Sequence, residues 1–347
     1  MSRALVYHGP EDLRVEERNG RAPGPGEVAL RVAACGICGT DLRIAHGRHR
    51  AYPDGTVRVP GHEVAGTLSA LGEGVELEEG QGVFVAPNIG CGRCRQCRAG
   101  RVNLCERPQA IGITRDGGFS EELLLGADVV AQGNVLPVPA DADLRAVSLA
   151  EPLACALHGQ RAISIGEGDL VVIAGAGPIG LMHLQLALVA NPSAVVVSEP
   201  SEGRRRQALD WGADQAVDPA GDDMAEAVAD LSGGRGADVV ITAAPAAAAQ
   251  RQALELAAPG GRINFFGGLP RDESEVALDT NLIHYKELVV TGTTANTNED
   301  CRAALELVLS GEVDTGSMIG ASYGLDDGHT AIERAGAGDV VKVVIEP

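Results

Sequence analysis

The segment Leu170–Val189, "LVVIAGAGPIGLMHLQLALV", decides the fold of the chain around it. Its five leading apolar residues predict a buried strand, and the apolar stretch after the glycines predicts a helix of about three turns. Between them is a G-x-G-x-x-G turn, formed by Gly175, Gly177, Pro178, Ile179 and Gly180. Such glycines allow a tight turn and close approach of the backbone to a pyrophosphate at the helix N-terminus. The segment therefore predicts a dinucleotide-binding unit.

An acidic residue follows at the place where such a unit needs one. Glu199 closes the next apolar strand, "AVVVSEP", where a carboxylate can accept hydrogen bonds from both hydroxyls of the adenosine ribose. A 2′-phosphate would meet like charge there, so we expect NAD to be preferred over NADP. Arg204 follows and is placed to flank the adenine. A glycine-rich turn with an incidental acid is the alternative, and the combination of strand, turn, helix and acid argues against it.

The strand and helix rhythm continues beyond this unit. Further short apolar strands are predicted at "QAVD", "ADVVITAA", "GRINFFGG" and "KELVVTG", with Ala-rich helical stretches between most of them. Six strands alternating with helices predict a doubly wound parallel sheet. We expect this nucleotide domain to span residues 158–292.

The flanking parts of the chain have a different pattern. Residues 1–157 alternate short apolar runs with Gly and Pro, as in "EVALRVAACG" and "GQGVFVAP", which predicts a β-rich unit. The tail after Gly292 contains one helix and a β-rich end, "DVVKVVIEP". It is too short for a domain of its own. We therefore expect residues 293–347 to complete the first unit.

The composition excludes several classes of partner. The net charge of −20 arises from 48 acidic and 28 basic residues, and Lys286 and Lys342 are the only lysines. Nucleic-acid binding requires clustered cations, so we expect no such partner. The N-terminal sequence "MSRALVYHGPEDL" predicts neither a signal peptide nor a membrane helix. A cytoplasmic location is expected, where cysteines stay reduced and serve metal binding or catalysis.

Four of the eight cysteines lie in one short segment, "CGRCRQCRAGRVNLC". Such a group of thiolates is typical of a closed tetrahedral zinc site, which has no open coordination position. Iron–sulfur clusters are the rival interpretation, but their usual ligand spacings differ. We therefore predict a structural zinc ion bound by Cys91, Cys94, Cys97 and Cys105.

A second set of metal-ligand residues is dispersed along the chain. Cys35 and Cys38 form a Cys-x-x-Cys pair, which can be a redox couple, half of a zinc site, or one ligand beside a bystander. "VPGHEVAG" contains His62 and Glu63, and "LAEPLACALHG" contains Glu151. One thiol with this histidine and an acid would make a zinc site that keeps one position open. By itself, a His-Glu pair is usually an ordinary surface feature.

These motifs together resemble the zinc-dependent medium-chain alcohol and polyol dehydrogenases, in the branch of sorbitol (L-iditol) and threonine dehydrogenases. The resemblance covers the whole chain and rests on "GICGTD", "PGHEVAG", "CGRCRQCRAGRVNLC", "EPLACALHG" and "GAGPIGL". It implies an α/β protein with a β-rich GroES-like catalytic domain and a Rossmann domain. Cys38 then corresponds to the metal thiol and Cys35 to a buried residue of the preceding strand.

The resemblance also implies roles for single residues. Cys38, His62 and Glu63 would bind a catalytic zinc ion, with Glu151 as a fourth ligand that binds directly or through a water molecule, which makes two zinc ions per chain. Thr40 corresponds to the hydroxyl that relays the substrate proton, Asp41 to an acid supporting a zinc ligand, and Lys342 to a basic residue near the cofactor. Neighbouring side chains of a regular strand point to opposite faces, so His62 and Glu63 can share one ion only if the backbone there is irregular.

The activity implied is oxidation of a secondary hydroxyl of a polyol, sugar or cyclitol to the ketone, with hydride transfer to NAD. The alternatives are an aminocyclitol or inosose dehydrogenase, an L-threonine 3-dehydrogenase, and an inactive nucleotide-binding relative. A homodimer or homotetramer is expected. Departures from the family pattern concern the proton path and the substrate contacts: they are Arg43 in place of a relay histidine, Ile44 in place of an aromatic residue, and Ala295 and Asn296 in place of an Arg-Tyr pair.

Overall fold

The computed structural model describes residues 1–347, with the exception of the side chain of Arg271. The chain divides into two compact units, one formed by Met1–Ala154 with Asn296–Pro347 and the other by Cys155–Ala295. Among the helices of the described residues, none combines the length and the apolar character needed to cross a bilayer.

The first unit begins with short strands, as its alternating pattern predicts. The elements in order are β1 (Ser2–Gly9), β2 (Asp12–Arg18), β3 (Val28–Ile37), α1 (Gly39–Ala45), β4 (Glu63–Leu71), β5 (Gly82–Val85), β6 (Asn88–Ile89), α2 (Arg95–Arg98), β7 (Gln109–Ala110), β8 (Glu122–Leu125), α3 (Ala127–Ala131), β9 (Val135–Pro137), α4 (Leu144–Ser148) and α5 (Ala150–Arg161). Two-stranded pairs form between β1 and β2 and between β6 and β7.

The second unit alternates strands with helices: β10 (Leu170–Ala174), α6 (Pro178–Val189), β11 (Ala194–Ser198), α7 (Glu202–Asp210), β12 (Gln215–Val217), α8 (Met224–Ser232), β13 (Ala237–Thr242), α9 (Ala247–Leu256), β14 (Ala257–Phe265), α10 (Thr280–Tyr285) and β15 (Val289–Gly292). Its six strands are parallel, in the order β12-β11-β10-β13-β14-β15. This confirms the predicted doubly wound sheet. The strand order reverses beside β10, and ligands of such sheets bind at the strand ends next to that point.

The apolar runs of this sheet have a simple cause. Every residue of β10 and β11 is buried, because helices cover both faces of a doubly wound sheet. A strand buried on both sides has no solvent-facing positions, so it lacks the alternation of polar and apolar residues that marks strands of the first unit.

The tail returns to the first unit through α11 (Asn298–Ser310), β16 (Ile319–Tyr323), α12 (Gly328–Ala337) and β17 (Lys342–Ile345). β17 pairs antiparallel with β3 and completes a sheet of order β16-β17-β3-β4-β5-β9, in which β8 also pairs with β3. In this register Val343 lies opposite Ile37, and Gly36 lies opposite Glu63. The ends of three strands that are far apart in sequence thus meet at one place.

Candidate functional site

The strand end at Ile37 separates the two thiols of the Cys-x-x-Cys pair. Cys35 lies within β3 and is fully buried, and this burial raises the pKa of its thiol well above the ordinary value. Cys38 caps the N-terminus of α1: its Sγ accepts a hydrogen bond from Thr40 N at 3.2 Å, and its own N–H donates to Asp41 Oδ2 at 3.0 Å. The half-buried Cys38 is therefore held by its cap outside the core that contains Cys35.

His62 links the Cys38 thiol to a buried acid. Its Nε2 lies 3.1 Å from Cys38 Sγ, and its Nδ1 lies 3.6 Å from Asp41 Oδ1. Burial lowers the pKa of His62, but the charges of Cys38 and Asp41 outweigh it and raise that pKa well above its ordinary value. Burial likewise acts to raise the pKa of Asp41, and His62 outweighs this effect and lowers it.

This arrangement fits a zinc ion. Sulfur and imidazole nitrogen are zinc ligands, and a ligating histidine usually directs its other ring nitrogen to a carboxylate. Here Nε2 is on the side of Cys38 and Nδ1 on the side of Asp41, and the buried Nδ1 and Oδ1 atoms make no hydrogen bond of normal length. A cation shared by Sγ and Nε2 would leave Nδ1 protonated and directed to Asp41.

The carboxylate of Glu63 has a strong partner of its own. Lys342 donates to both its oxygens, at 2.7 and 2.5 Å, and also to Ile37 O at 2.8 Å. Both side chains are buried, and a β-carbon at Gly36 would lie 1.8 Å from Glu63 Oε2, so only glycine fits there. Burial lowers the pKa of Lys342, but Glu63 outweighs this and raises it. The structure thus pairs Glu63, a predicted zinc ligand, with Lys342, the residue predicted to lie near the cofactor.

Glu151 occupies the first turn of α5 and also faces this region. One of its carboxylate oxygens lies within 4.8 Å of ligand atoms of both His62 and Glu63. Burial raises the pKa of Glu151, while its Oε1 accepts a 2.7 Å hydrogen bond from Asn296 Nδ2. The sequence does not predict this contact of Asn296 with Glu151. The two residues lie 145 positions apart, Glu151 on α5 and Asn296 just before α11, and no motif spacing connects them.

A contact with Arg43 shows that the Thr40 hydroxyl acts as a hydrogen-bond acceptor. Arg43 donates to Thr40 Oγ1 at 3.0 Å, across one turn of α1. A guanidinium has donors only, so the Thr40 hydroxyl is the acceptor in this bond and keeps its own proton for another partner. The side chain that replaces the expected histidine therefore contacts the predicted relay residue.

The four-cysteine segment folds back on itself through α2 and the turn that follows. The ligand sulfurs of Cys91, Cys94, Cys97 and Cys105 all lie within 4.8 Å of one another. Backbone N–H groups donate to these sulfurs, from Cys91 to Cys105 Sγ at 3.2 Å and from Cys97 to Cys94 Sγ at 3.4 Å. The bond from the Cys97 backbone is the main cause that lowers the pKa of Cys94 to about 6. Such a set of sulfurs suits a tetrahedral metal ion.

The glycine turn of the second unit has the geometry that its sequence predicts. Gly175 has φ of 105°, and Gly177 is the N-cap of α6, with Pro178 and Ile179 in its first turn. A β-carbon at Gly180 would lie 1.9 Å from Gly175 O, which explains the third glycine. The turn can therefore approach a pyrophosphate through its backbone.

Glu199 lies directly beside this turn. Its carboxylate accepts hydrogen bonds from Ala176 N at 2.8 Å and from Ser201 N at 3.0 Å. Arg205, on α7, donates to Glu199 O and lies 3.3 Å from Asp218, so its guanidinium is held by other groups. Arg204 begins the same run of arginines on α7. The acid thus occupies the end of β11, next to the glycines, as a ribose acceptor would.

Comparison with known proteins gives matches along the chain. Residues 24–139 match the family model of the alcohol dehydrogenase GroES-like domain, and residues 178–310 match that of zinc-binding dehydrogenase. The L-threonine 3-dehydrogenase of Pyrococcus furiosus is 36% identical over 93% of this chain and 91% of its own. The sorbitol dehydrogenase of Halalkalibacterium halodurans is 30% identical over 99% of both chains. A Sinorhizobium meliloti 1021 structure bound to NADP is 36% identical with a TM-score of 0.92, covering 100% of this chain and 99% of its own.

Proposed function

The chain belongs to the zinc-dependent medium-chain alcohol and polyol dehydrogenases, and from this premise we propose that it oxidises a secondary hydroxyl of a polyol, sugar or cyclitol to the ketone with NAD. One observation carries the proposal. Cys38 Sγ and His62 Nε2 are 3.1 Å apart, Asp41 Oδ1 lies 3.6 Å from His62 Nδ1, and a carboxylate oxygen of Glu151 lies within 4.8 Å of a ring nitrogen of His62. A redox-sensing or purely structural protein would have no use for such a ligand set with an open position.

We assign the zinc ligands to Cys38, His62 and Glu151, and we place Glu63 beside them as the partner of Lys342. When bound, zinc supplies Lewis-acid chemistry that makes a hydroxyl acidic near neutral pH. Asp41 would fix the orientation of His62 by accepting from Nδ1. The four-cysteine segment would hold the second zinc ion, which closes that loop and has no part in the reaction.

Thr40 would handle the substrate proton in this scheme. Its hydroxyl has one proton and two acceptor positions, and Arg43 uses one of the acceptor positions. Thr40 Oγ1 would take the proton of the substrate hydroxyl while it releases its own. Arg43 cannot accept that proton because a guanidinium stays protonated. The proton therefore passes from the half-buried Thr40 to water, with Arg43 holding the hydroxyl in place.

The second unit would bind the dinucleotide. The backbone of the glycine turn and the N-terminus of α6 would hold the pyrophosphate, and Glu199 would accept from the ribose hydroxyls. NAD remains the proposed cofactor because a 2′-phosphate would face the Glu199 carboxylate. The NADP in the Sinorhizobium meliloti structure is a property of that protein, and it makes the ratio of the two cofactors a measurement worth making.

We also propose an oligomeric state and a cellular location for this enzyme. β15 lies at one end of the six-stranded sheet, with Val289 half exposed and Tyr285 exposed nearby, which favours association of two copies along that edge. A homodimer or a homotetramer is the proposed state. The eight cysteines of the described residues form no disulfide bond, and a cytoplasmic location would keep them reduced.

A substrate screen tests the proposed function. The purified protein is mixed with NAD and a panel of polyols, sugars, cyclitols and L-threonine, and formation of NADH is followed by absorbance. We expect turnover with a member of the first three groups and none with the Cys38→Ser variant. Turnover with L-threonine alone would favour the second candidate, which rests on the 36% identity to the Pyrococcus furiosus enzyme. Binding of NAD without turnover of any compound would identify an inactive relative.

A further inference from the structure

Asn296 is completely buried, and its amide group is directed at a residue of the zinc site. Its Nδ2 donates to Glu151 Oε1 at 2.7 Å and to the main-chain Glu151 O at 3.2 Å. The family resemblance placed this position among the residues that contact substrate hydroxyls. The structure instead directs its donor group to a carboxylate of the protein.

The orientation of this amide follows from the chemistry of its neighbours. Asn88 Nδ2 donates to Asn296 Oδ1 at 2.7 Å, and the Cys301 thiol donates to the same oxygen at 3.4 Å. A carboxylate that serves as a metal ligand accepts hydrogen bonds and donates none. The oxygen of Asn296 therefore faces Asn88, and its NH₂ group faces Glu151.

Asn88 is itself fixed by a second layer of amides. Asn134 Nδ2 donates to Asn88 O and to Ala86 O, both at 2.8 Å, and Asn298 Nδ2 donates to Asn134 Oδ1 at 3.0 Å. Buried polar networks are rigid when their hydrogen bonds are made, because each lost bond in a low-dielectric interior is costly. Glu151 is thus held through Asn296 by β6, the strand that immediately precedes the four-cysteine segment.

We propose that Asn296 is a positioning residue for the zinc ligand Glu151, and that it does not contact the substrate. By donating to Oε1 and to the main-chain carbonyl, it would fix the orientation of the Glu151 carboxylate toward the metal site. Partners that orient a ligand in this way contribute to the affinity of the site for its metal ion. This inference rests on the proposed function for the identity of the metal site, but not on the identity of the substrate.

The test measures zinc affinity without substrate, by competition between the full chain and a chelator. Partners that orient a metal ligand typically contribute about 10- to 100-fold in metal affinity. We expect Asn296→Leu to lower the affinity for one of the two zinc ions by that factor and to leave the affinity for the ion of the four-cysteine segment unchanged. Asn296→Ala is the second variant should the leucine not be accommodated.

Asn298→Ala is the matched control, because Asn298 is a half-buried asparagine close to Asn296 in the chain, and its side chain donates to Asn134 Oδ1 and Gln132 O and not to a residue of the zinc site. We expect its zinc affinity to equal that of the unmodified chain. In a Glu151→Ala background, Asn296→Leu should cause no further loss, since Asn296 acts through Glu151. With Co²⁺ in place of zinc, the visible absorption bands should shift in Asn296→Leu and stay unchanged in Asn298→Ala.

Two results would overturn the inference. One is an Asn296→Leu variant with unchanged zinc affinity and a raised KM for substrate, which would make Asn296 a substrate contact. The other is an equal loss of zinc affinity in the Glu151→Ala background, which would make its role a general structural one. Because zinc binding is read without substrate, a protein that turns over no compound but shows the expected zinc losses would refute the proposed function alone.

Discussion

The ammonium of Lys342 and the carboxylate of Glu63 form a buried ion pair, with Nζ 2.7 Å from Oε1 and 2.5 Å from Oε2. The two residues are 279 positions apart, and the pair joins β17 of the tail to β4. Ile37 O accepts another hydrogen bond from the same ammonium. A buried charge of this kind is tolerated only while its partner is present.

Removal of one partner should therefore be costly. Lys342→Met leaves Glu63 charged and buried, and we expect about 3–5 kcal/mol less free energy of unfolding, measured by urea denaturation. Adding Glu63→Gln should recover part of that loss. The control Arg206→Met breaks an exposed ion pair with Glu202 and should cost about 1 kcal/mol or less. A Lys342→Met variant no less stable than this control would contradict the account of the pair.

The Thr40 hydroxyl is predicted to act on the proton of the substrate and not on the dinucleotide. Thr40→Ala should lower kcat by about 10²- to 10⁴-fold, the usual contribution of an acid–base group, with an unchanged Kd for NAD. Thr40→Ser is the matched control because it keeps the hydroxyl and should retain most of the activity. Full activity of Thr40→Ala would rule out the relay.

Glu199 is predicted to set the choice of cofactor. The unmodified enzyme should have a higher kcat/KM with NAD than with NADP, and Glu199→Ser should reduce this ratio because the ribose acceptor and its charge are both lost. Glu202→Ser removes an exposed acid from the first turn of α7 and serves as the control for net charge. Equal kcat/KM values for the two cofactors in the unmodified enzyme would show that Glu199 does not discriminate.

His183 is predicted to make the stability of the chain dependent on pH. It is buried within α6, its Nδ1 lies 3.3 Å from Gln160 Nε2, and its ring packs edge-on against Phe266 with centroids 4.7 Å apart. Burial lowers its pKa to about 3. Below the unfolded pKa of about 6.5 the unfolded chain takes up a proton that the folded chain does not, so stability falls as the pH falls.

The expected size of this effect is about 2 kcal/mol lost from this group between pH 7 and pH 5. His183→Gln removes the titrating ring, so its free energy of unfolding should fall less over the same interval. His329→Gln removes an exposed histidine and serves as the control for the loss of a histidine side chain. Parallel curves for His183→Gln and the unmodified chain would show that His183 binds a proton equally readily in the folded and the unfolded chain.

Features that lie within one short segment could be predicted from the sequence. The glycine turn from Gly175 to Gly180 and the thiol cluster from Cys91 to Cys105 depend on local spacing, and the structure places their atoms together. The parallel sheet was also predictable, because strands that helices cover on both faces appear in the sequence as continuous apolar runs. The family assignment from these motifs is confirmed by the matches along the chain.

Contacts between distant segments could not be predicted in this way. The spacing of Cys35 and Cys38 does not distinguish them, and the end of β3 at Ile37 decides which one is buried. The bond between Asn296 and Glu151 spans 145 positions. This bond forms because the tail packs against α5. The hydrophobic periodicity of neither segment predicts that packing.

The most direct test of zinc-dependent catalysis is the rate of NADH formation measured against bound zinc per chain. A chelator removes the metal stepwise from the freshly purified enzyme, and zinc is then added back. We expect two zinc ions per chain at the start, loss of activity as one of them is removed, and recovery when one equivalent is restored. Full activity in a chain that carries less than one zinc ion would contradict a zinc-dependent reaction.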